Sequence, residues 1–130
     1  MMDVSIIVVN YNTLKVTEQC LDSIFRLTYG LSFEVILVDN ASTDGSKEVF
    51  SQDKRIKYIY SDRNLGFGKA NNLGFQTAAG EYIFLLNSDT ILLNNAVGHF
   101  YTAIRNLPHH VACIGTQLLS ADLKPNHSFG

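Results

Sequence analysis

The sequence predicts an α/β fold with a mainly parallel sheet and helices on both of its faces. Three observations carry that prediction. Mostly apolar runs of strand length recur at Val4–Val9, Phe33–Val38 and Tyr82–Leu86, interrupted only by Ser5 and Glu34 and without the regular polar alternation of a half-exposed strand. Segments with near-helical apolar spacing separate the runs, as crossovers between parallel strands require. Each run then stops abruptly at polar residues: Asn10-Tyr11-Asn12, Asp39-Asn40 and Asn87-Ser88-Asp89.

Val4–Val9 (VSIIVV) is rich in β-branched residues and reads as a buried first strand. Thr13–Leu27 places apolar residues at Leu14, Leu21, Ile24 and Phe25, with Asn12 or Thr13 as N-cap and Gly30 closing the segment. Phe33–Val38 is the second strand. Ala41–Ser46 offers several capping side chains before a helix that ends near Gln52. Ile56–Tyr60 alternates weakly and suits a third strand nearer an edge. Asp62–Phe67 reads as a loop and Gly68–Ala79 as a helix, with Gly80 at its C′ position. Tyr82–Leu86 is the fourth strand, expected to be buried on both faces. Asn94–Leu107 is a helix halted by Pro108, and Val111–Leu119 a last strand. Ser120–Gly130 has no closing helix. Residues 1–130 are therefore expected to form a single domain that is the N-terminal part of a longer protein.

Composition narrows the function classes. With 46 % apolar and 17 % charged residues, the chain can bury a sizeable core and is not a disordered segment. Its formal net charge is −2 and it has no basic block, which argues against a nucleic-acid partner. Cys20 and Cys113 lie far apart without metal-type spacing and read as two reduced core thiols. No apolar run approaches the ~20 residues of a membrane span, and the N-terminus does not read as a signal peptide. A cytoplasmic protein without a transmembrane segment is the expectation.

In a parallel sheet the three polar strand ends point the same way, towards the crevice where open α/β sheets bind ligands. Tyr11 offers an aromatic face for a base. Asp39 can accept a hydrogen bond from a ring N–H, which suits uracil, thymine or guanine better than adenine. Asp89 offers the hard oxygen that Mg²⁺ or Mn²⁺ prefers beside a phosphate. Asp44 reads as a carboxylate favoured by a helix N-terminus. In the stretch Asn64–Asn72, Gly66-Phe67-Gly68 starts like the dinucleotide fingerprint G-x-G-x-x-G, but the third position is Asn71. A P-loop fails as well, because Ala70 follows Gly68-Lys69. What remains is a loop that runs into a helix N-terminus beside Lys69, a plausible diphosphate site as well as an ordinary solvated helix start. His99, His109, His110 and His127 have no partner spacing that suggests chemistry and read as surface residues. Ser42 and Ser46 lack a nucleophile-elbow context.

Four segments taken together, VSIIVVNYN, VILVDNASTDGS, NLGFGKANNLG and GEYIFLLNSDT, resemble the family 2 glycosyltransferases. The bacterial rhamnosyltransferase-like branch of polysaccharide assembly is the most similar. The match runs in order from about Val4 to Asn94. The resemblance implies a Rossmann-like GT-A fold, a nucleotide-diphospho-sugar donor, a divalent cation (Mn²⁺ or Mg²⁺) and transfer with inversion to a saccharide acceptor. Asp39 then corresponds to the acid that binds the base, and Val9, Asn10, Tyr11 and Asn12 to the wall around it. Asn40, Gly66, Lys69 and Asn71 fall in the remaining donor-side motifs. Asn87-Ser88-Asp89 corresponds to the D-x-D motif. Its first position is Asn87, so the metal contact rests mainly on Asp89.

The family's general base, an Asp or Glu acting on the acceptor hydroxyl, has no match before Gly130. The segment alone is therefore expected to be inactive. Two alternatives stay open at this point: a non-catalytic nucleotide-sugar-binding module, and a sugar-phosphate nucleotidyltransferase. The latter would need a Gly-rich basic loop straight after the first strand, where Asn10-Tyr11-Asn12-Thr13 stands.

Overall fold

The computed structural model describes residues 1–115 together with Leu118–Leu119, Leu123 and Pro125–Asn126. Strands and helices alternate: β1 (Val4–Asn10), α1 (Leu14–Leu27), β2 (Phe33–Asn40), α2 (Ser46–Phe50), β3 (Lys57–Ser61), α3 (Phe67–Thr77), β4 (Tyr82–Asn87) and α4 (Ala96–Arg105). The four strands form one parallel sheet in the order β3-β2-β1-β4, as the apolar runs predicted.

The period of two along each strand sorts the core into two layers. Val4, Ile6 and Val8 of β1 and Val35 and Leu37 of β2 pack with Cys20, Leu21 and Ile24 of α1, Phe50 of α2 and Val97 of α4. The alternate residues Ile7, Ile36 and Val38 pack with Ala70 of α3 on the opposite face. Gly74 lets α3 lie close to the sheet. A Cβ there would stand 2.8 Å from Ile7 Cγ2 and 3.2 Å from Val38 Cγ2.

Several expectations are corrected. β4 is an edge strand among the described residues and is only partly buried, with Leu85 56 % exposed. An apolar run marks a strand that can be covered on both faces, but it does not say which neighbour covers it. α3 ends at Thr77, and Ala78 at its C-cap is extended. Gly80 is thus not a left-handed C′ residue. It is small because a Cβ there would fall 2.4 Å from the Ser5 backbone nitrogen.

The last strand expected at Val111–Leu119 does not form over 111–115, where Ala112, Cys113 and Gly115 dilute the β-branched residues. Leu118–Leu119 (β5) instead pairs antiparallel with Pro125–Asn126 (β6), apart from the main sheet. Cys113 is exposed, so only Cys20 is a core thiol; both are free. His99, His109 and His110 are exposed, as expected, and His127 lies outside the described residues.

Candidate functional site

The C-terminal ends of β4, β1 and β2 stand side by side. Asn10 is in register with Asp39, and Val9 with both Val38 and Asn87. Of the sequence-predicted residues, Val9, Asn10, Tyr11, Asn12, Asp39, Asn40, Asn87, Ser88 and Asp89 therefore gather at one end of the sheet.

Their side chains divide into those turned to structure and those left free. Asn10 is fully buried, and its Oδ1 accepts hydrogen bonds from Thr13 Oγ1 at 2.7 Å, Thr17 Oγ1 at 3.1 Å and the Thr13 N–H at 3.2 Å. It holds the start of α1 against the end of β1. Asn12 sits at φ 53°, and its Oδ1 accepts the Thr43 N–H at 2.7 Å. Ser42 Oγ accepts the Asn12 N–H at 2.8 Å and Asn10 Nδ2–H at 3.3 Å. These bonds join the loops after β1 and β2. Tyr11, in the loop after β1, is 49 % exposed.

Asp39 is fully buried. Its Oδ1 accepts the Ser42 N–H at 3.1 Å and its Oδ2 the Tyr58 hydroxyl at 2.6 Å. Burial, and then the adjacent Asp39 carboxylate, push the Tyr58 phenol far above its ordinary pKa. Tyr58 was not among the residues singled out from sequence. Its place in a weakly alternating strand gives no sign that it reaches diagonally to β2. Asn40 Oδ1 accepts the Leu65 N–H at 2.8 Å, and its Nδ2 donates to Asn64 Oδ1 at 2.8 Å and to the Gly66 carbonyl at 3.4 Å. The loop before α3 is thereby tied to the end of β2. Gly66 occupies the N-cap of α3 at φ 82°, Lys69 is exposed in the first turn, and buried Asn71 donates to the Phe67 carbonyl at 3.1 Å.

Residues Asn87–Thr90 form a tight turn. The Asn87 carbonyl accepts Thr90 Oγ1–H at 2.7 Å, the Thr90 N–H at 3.2 Å and the Cys20 thiol at 3.7 Å. Burial pushes the Cys20 thiol up to about 11. The turn leaves the Asn87 and Asp89 side chains exposed, while Ser88 Oγ lies 3.4 Å from Thr13 Oγ1. Among the described residues, no three His, Cys, Asp or Glu side chains gather into a cation cage. Asp44, read from sequence as a helix-start carboxylate, accepts the Leu14 N–H at 2.9 Å and the Ser46 hydroxyl at 2.5 Å, and so serves the starts of both α1 and α2.

Comparison with known proteins identifies the family and the fold. Residues 5–128 match Glycosyl transferase family 2. The glycosyltransferase GlyG of Streptococcus pneumoniae is 35 % identical over 78 % of this chain and 35 % of its own length. An uncharacterized glycosyltransferase of Nostoc is 32 % identical over 87 % of the chain and 38 % of its own length. The chain thus spans little more than a third of these relatives. Among solved structures, S. aureus TarS 1-349 in complex with UDP-GlcNAc superposes with a TM-score of 0.69 and 28 % identity, over 78 % of this chain and 30 % of TarS. The mannosyltransferase PcManGT of Pyrobaculum calidifontis, in complex with GDP-Man and Mn²⁺, gives 0.68 and 26 % over 78 % of this chain and 31 % of its own. With its parallel sheet flanked by helices and its GT-A neighbours, the chain belongs to the family 2 glycosyltransferases.

Proposed function

We propose that the chain is the donor-binding portion of a glycosyltransferase using a UDP- or dTDP-sugar. The sugar, of hexosyl or rhamnosyl type, passes with inversion to a hydroxyl of a polysaccharide or lipid-linked saccharide. The observation that carries the reading is the convergence of an exposed aromatic ring (Tyr11), a buried carboxylate (Asp39) and an exposed carboxylate (Asp89) at the ends of three adjacent strands. Relatives that bind UDP-GlcNAc and GDP-Man support it.

In this reading the base stacks on Tyr11 and donates its ring N–H to Asp39, with Val9, Asn10 and Asn12 shaping the wall. The diphosphate lies between the Asn87–Asp89 turn and the loop at Gly66, with Lys69, the start of α3 and its neighbour Asn71 on the other side. The free N–H groups of a helix start favour an anion there. Asn40 contributes by holding that loop.

The donor set fits a divalent cation held by one carboxylate, substrate phosphates and water, a mode usual for Mg²⁺. Asp89 is the protein ligand in that mode, with Asn87 a weaker helper. When bound, such a cation offsets charge on the leaving nucleoside diphosphate. The chain's own residues bind and orient the donor.

Among the described residues no helix is long and apolar enough to cross a membrane. We place the protein in the cytoplasm, at the inner face of the membrane where a lipid-linked acceptor would present itself, in cell-surface polysaccharide synthesis. A thermal-shift panel of UDP, dTDP, GDP and their sugars, with and without Mn²⁺, tests the reading. A ligand that binds only the folded chain raises its melting temperature according to its saturation. UDP or dTDP compounds should give the largest shift, increased by Mn²⁺. No shift with any nucleotide would count against the whole assignment.

A further inference from the structure

We infer that Tyr58 is a positioning residue for nucleobase recognition, fixing the Asp39 carboxylate so that it presents an acceptor to a base with a ring N–H. The inference rests on the base-binding role proposed above for Asp39.

Asp39 is fully buried, yet it takes part in none of the ion pairs among the described residues, which are Arg55–Asp22, Arg55–Asp53 and Lys57–Glu34. An ionised carboxylate has room for about four hydrogen bonds. Two protein donors meet it, one on each oxygen: the Ser42 N–H on Oδ1 and the Tyr58 hydroxyl on Oδ2. They come from different elements, the loop after β2 and the strand β3, so the carboxylate plane cannot turn without losing both. Among the described residues no ion pair takes up the remaining acceptor capacity. A neutral N–H donor suits such a group, whereas a phosphate would repel it.

The source of the second donor matters. Tyr60 is the residue in register with Asp39, but the Lys47 ammonium sits 4.2 Å above its ring. Tyr58, two residues earlier, reaches Asp39 diagonally and at 2.6 Å. A strand is a stiffer support than a loop. Because Asp39 is fully buried, a base reaches it only with local movement of the surrounding loops, and the bond from β3 keeps the carboxylate in place as they move. Its phenol stays protonated across the neutral range and donates throughout.

A carboxylate held in this way, with both oxygens placed as acceptors, favours uracil and thymine, through N3–H, and guanine, through N1–H. Cytosine presents an acceptor at N3 and is disfavoured. Tyr58 therefore acts on the discrimination between bases as well as on affinity.

The test is calorimetric titration of the protein with UDP, dTDP and GDP, each compared with CDP, for wild type, Tyr58→Phe, Asp39→Asn and the double variant. Tyr58→Phe keeps the ring, and its melting temperature is measured alongside. The expected result is that Tyr58→Phe weakens the tightest of the three nucleotides about fivefold, the effect of one hydrogen bond. Its margin over CDP should narrow, and the substitution should add nothing on the Asp39→Asn background. Equal weakening of CDP, or an undiminished effect on that background, would make Tyr58 merely structural and overturn the inference. Weakening by Asp39→Asn with none by Tyr58→Phe would overturn the inference and spare the base-binding reading. Wild-type binding by Asp39→Asn, or no binding of any of the three nucleotides by the wild type, would overturn both.

Discussion

The Asp44 carboxylate accepts the backbone N–H of Leu14 at 2.9 Å, closing the first turn of α1 from a position 30 residues away. Thr13, at the N-cap itself, makes no side-chain cap bond. Asp44 also accepts the Ser46 N–H at 3.1 Å and the Ser46 hydroxyl. Replacing it leaves two helix starts with unmet donors. Asp44→Ala should therefore destabilise the chain by about 1–2 kcal/mol, the usual cost of a lost cap. Nucleotide affinity measured well below the melting temperature should change little. Denaturant unfolding checks the first point and calorimetry the second.

Acid should unfasten the opposite end of the sheet. Glu34 Oε1 accepts Ser5 Oγ–H at 2.6 Å and the Ala79 N–H at 2.7 Å, and Oε2 lies 2.6 Å from Lys57 Nζ. Burial works against the charged form, but the bonds from Lys57, Ser5 and Ala79 outweigh it and hold the carboxyl below its ordinary value of 4.5. A pKa depressed by folding adds stability that is fully present above that ordinary value and is lost as pH falls through the folded-state value. Melting temperature followed from pH 7 downwards should thus hold until about pH 4.5 and then fall. Glu34→Gln should be less stable at pH 7 and show a shallower acid decline.

Gly80 offers a test of packing that does not involve the ligand. A Cβ at this position would collide with backbone, at 2.4 Å from Ser5 N and 2.7 Å from the Val4 carbonyl carbon, and neither can swing aside. The Gly80 N–H also donates to Ser5 Oγ at 2.8 Å, close to the Glu34 cluster. Gly80→Ala should cost about 2 kcal/mol or more, in the upper range for overpacked sites. A stability within about 0.5 kcal/mol of wild type, the range of ordinary surface substitutions, would show that this approach is not tight.

Much of this was legible in the residues. Mostly apolar runs ending in polar clusters located β1, β2 and β4, and parallel order brought their ends together, because such a run has few other places to go. The roles within the clusters were less legible. Nothing in the string separates Asn10, buried and spent on Thr13 and Thr17, from Tyr11, which is exposed. That division depends on which way each side chain turns after the strand ends. Tyr58 was missed for a related reason, since its partner is 19 residues away on a neighbouring strand. The exposure of Leu85 and the loss of the strand at 111–115 reflect pairing, a property of neighbours that a local pattern cannot supply.

Asp89 is exposed on the Asn87–Thr90 turn, beside the end of β1, and is the residue on which the proposed donor binding depends most. Calorimetric titration of UDP-GlcNAc, dTDP-rhamnose and GDP-Man, with and without Mn²⁺, into wild type and Asp89→Ala tests it directly. The account predicts Mn²⁺-dependent binding of at least one donor by the wild type, and its loss in a variant that melts near the wild-type temperature. Unchanged Mn²⁺-dependent binding in Asp89→Ala would contradict the assignment of Asp89 as the metal and diphosphate ligand.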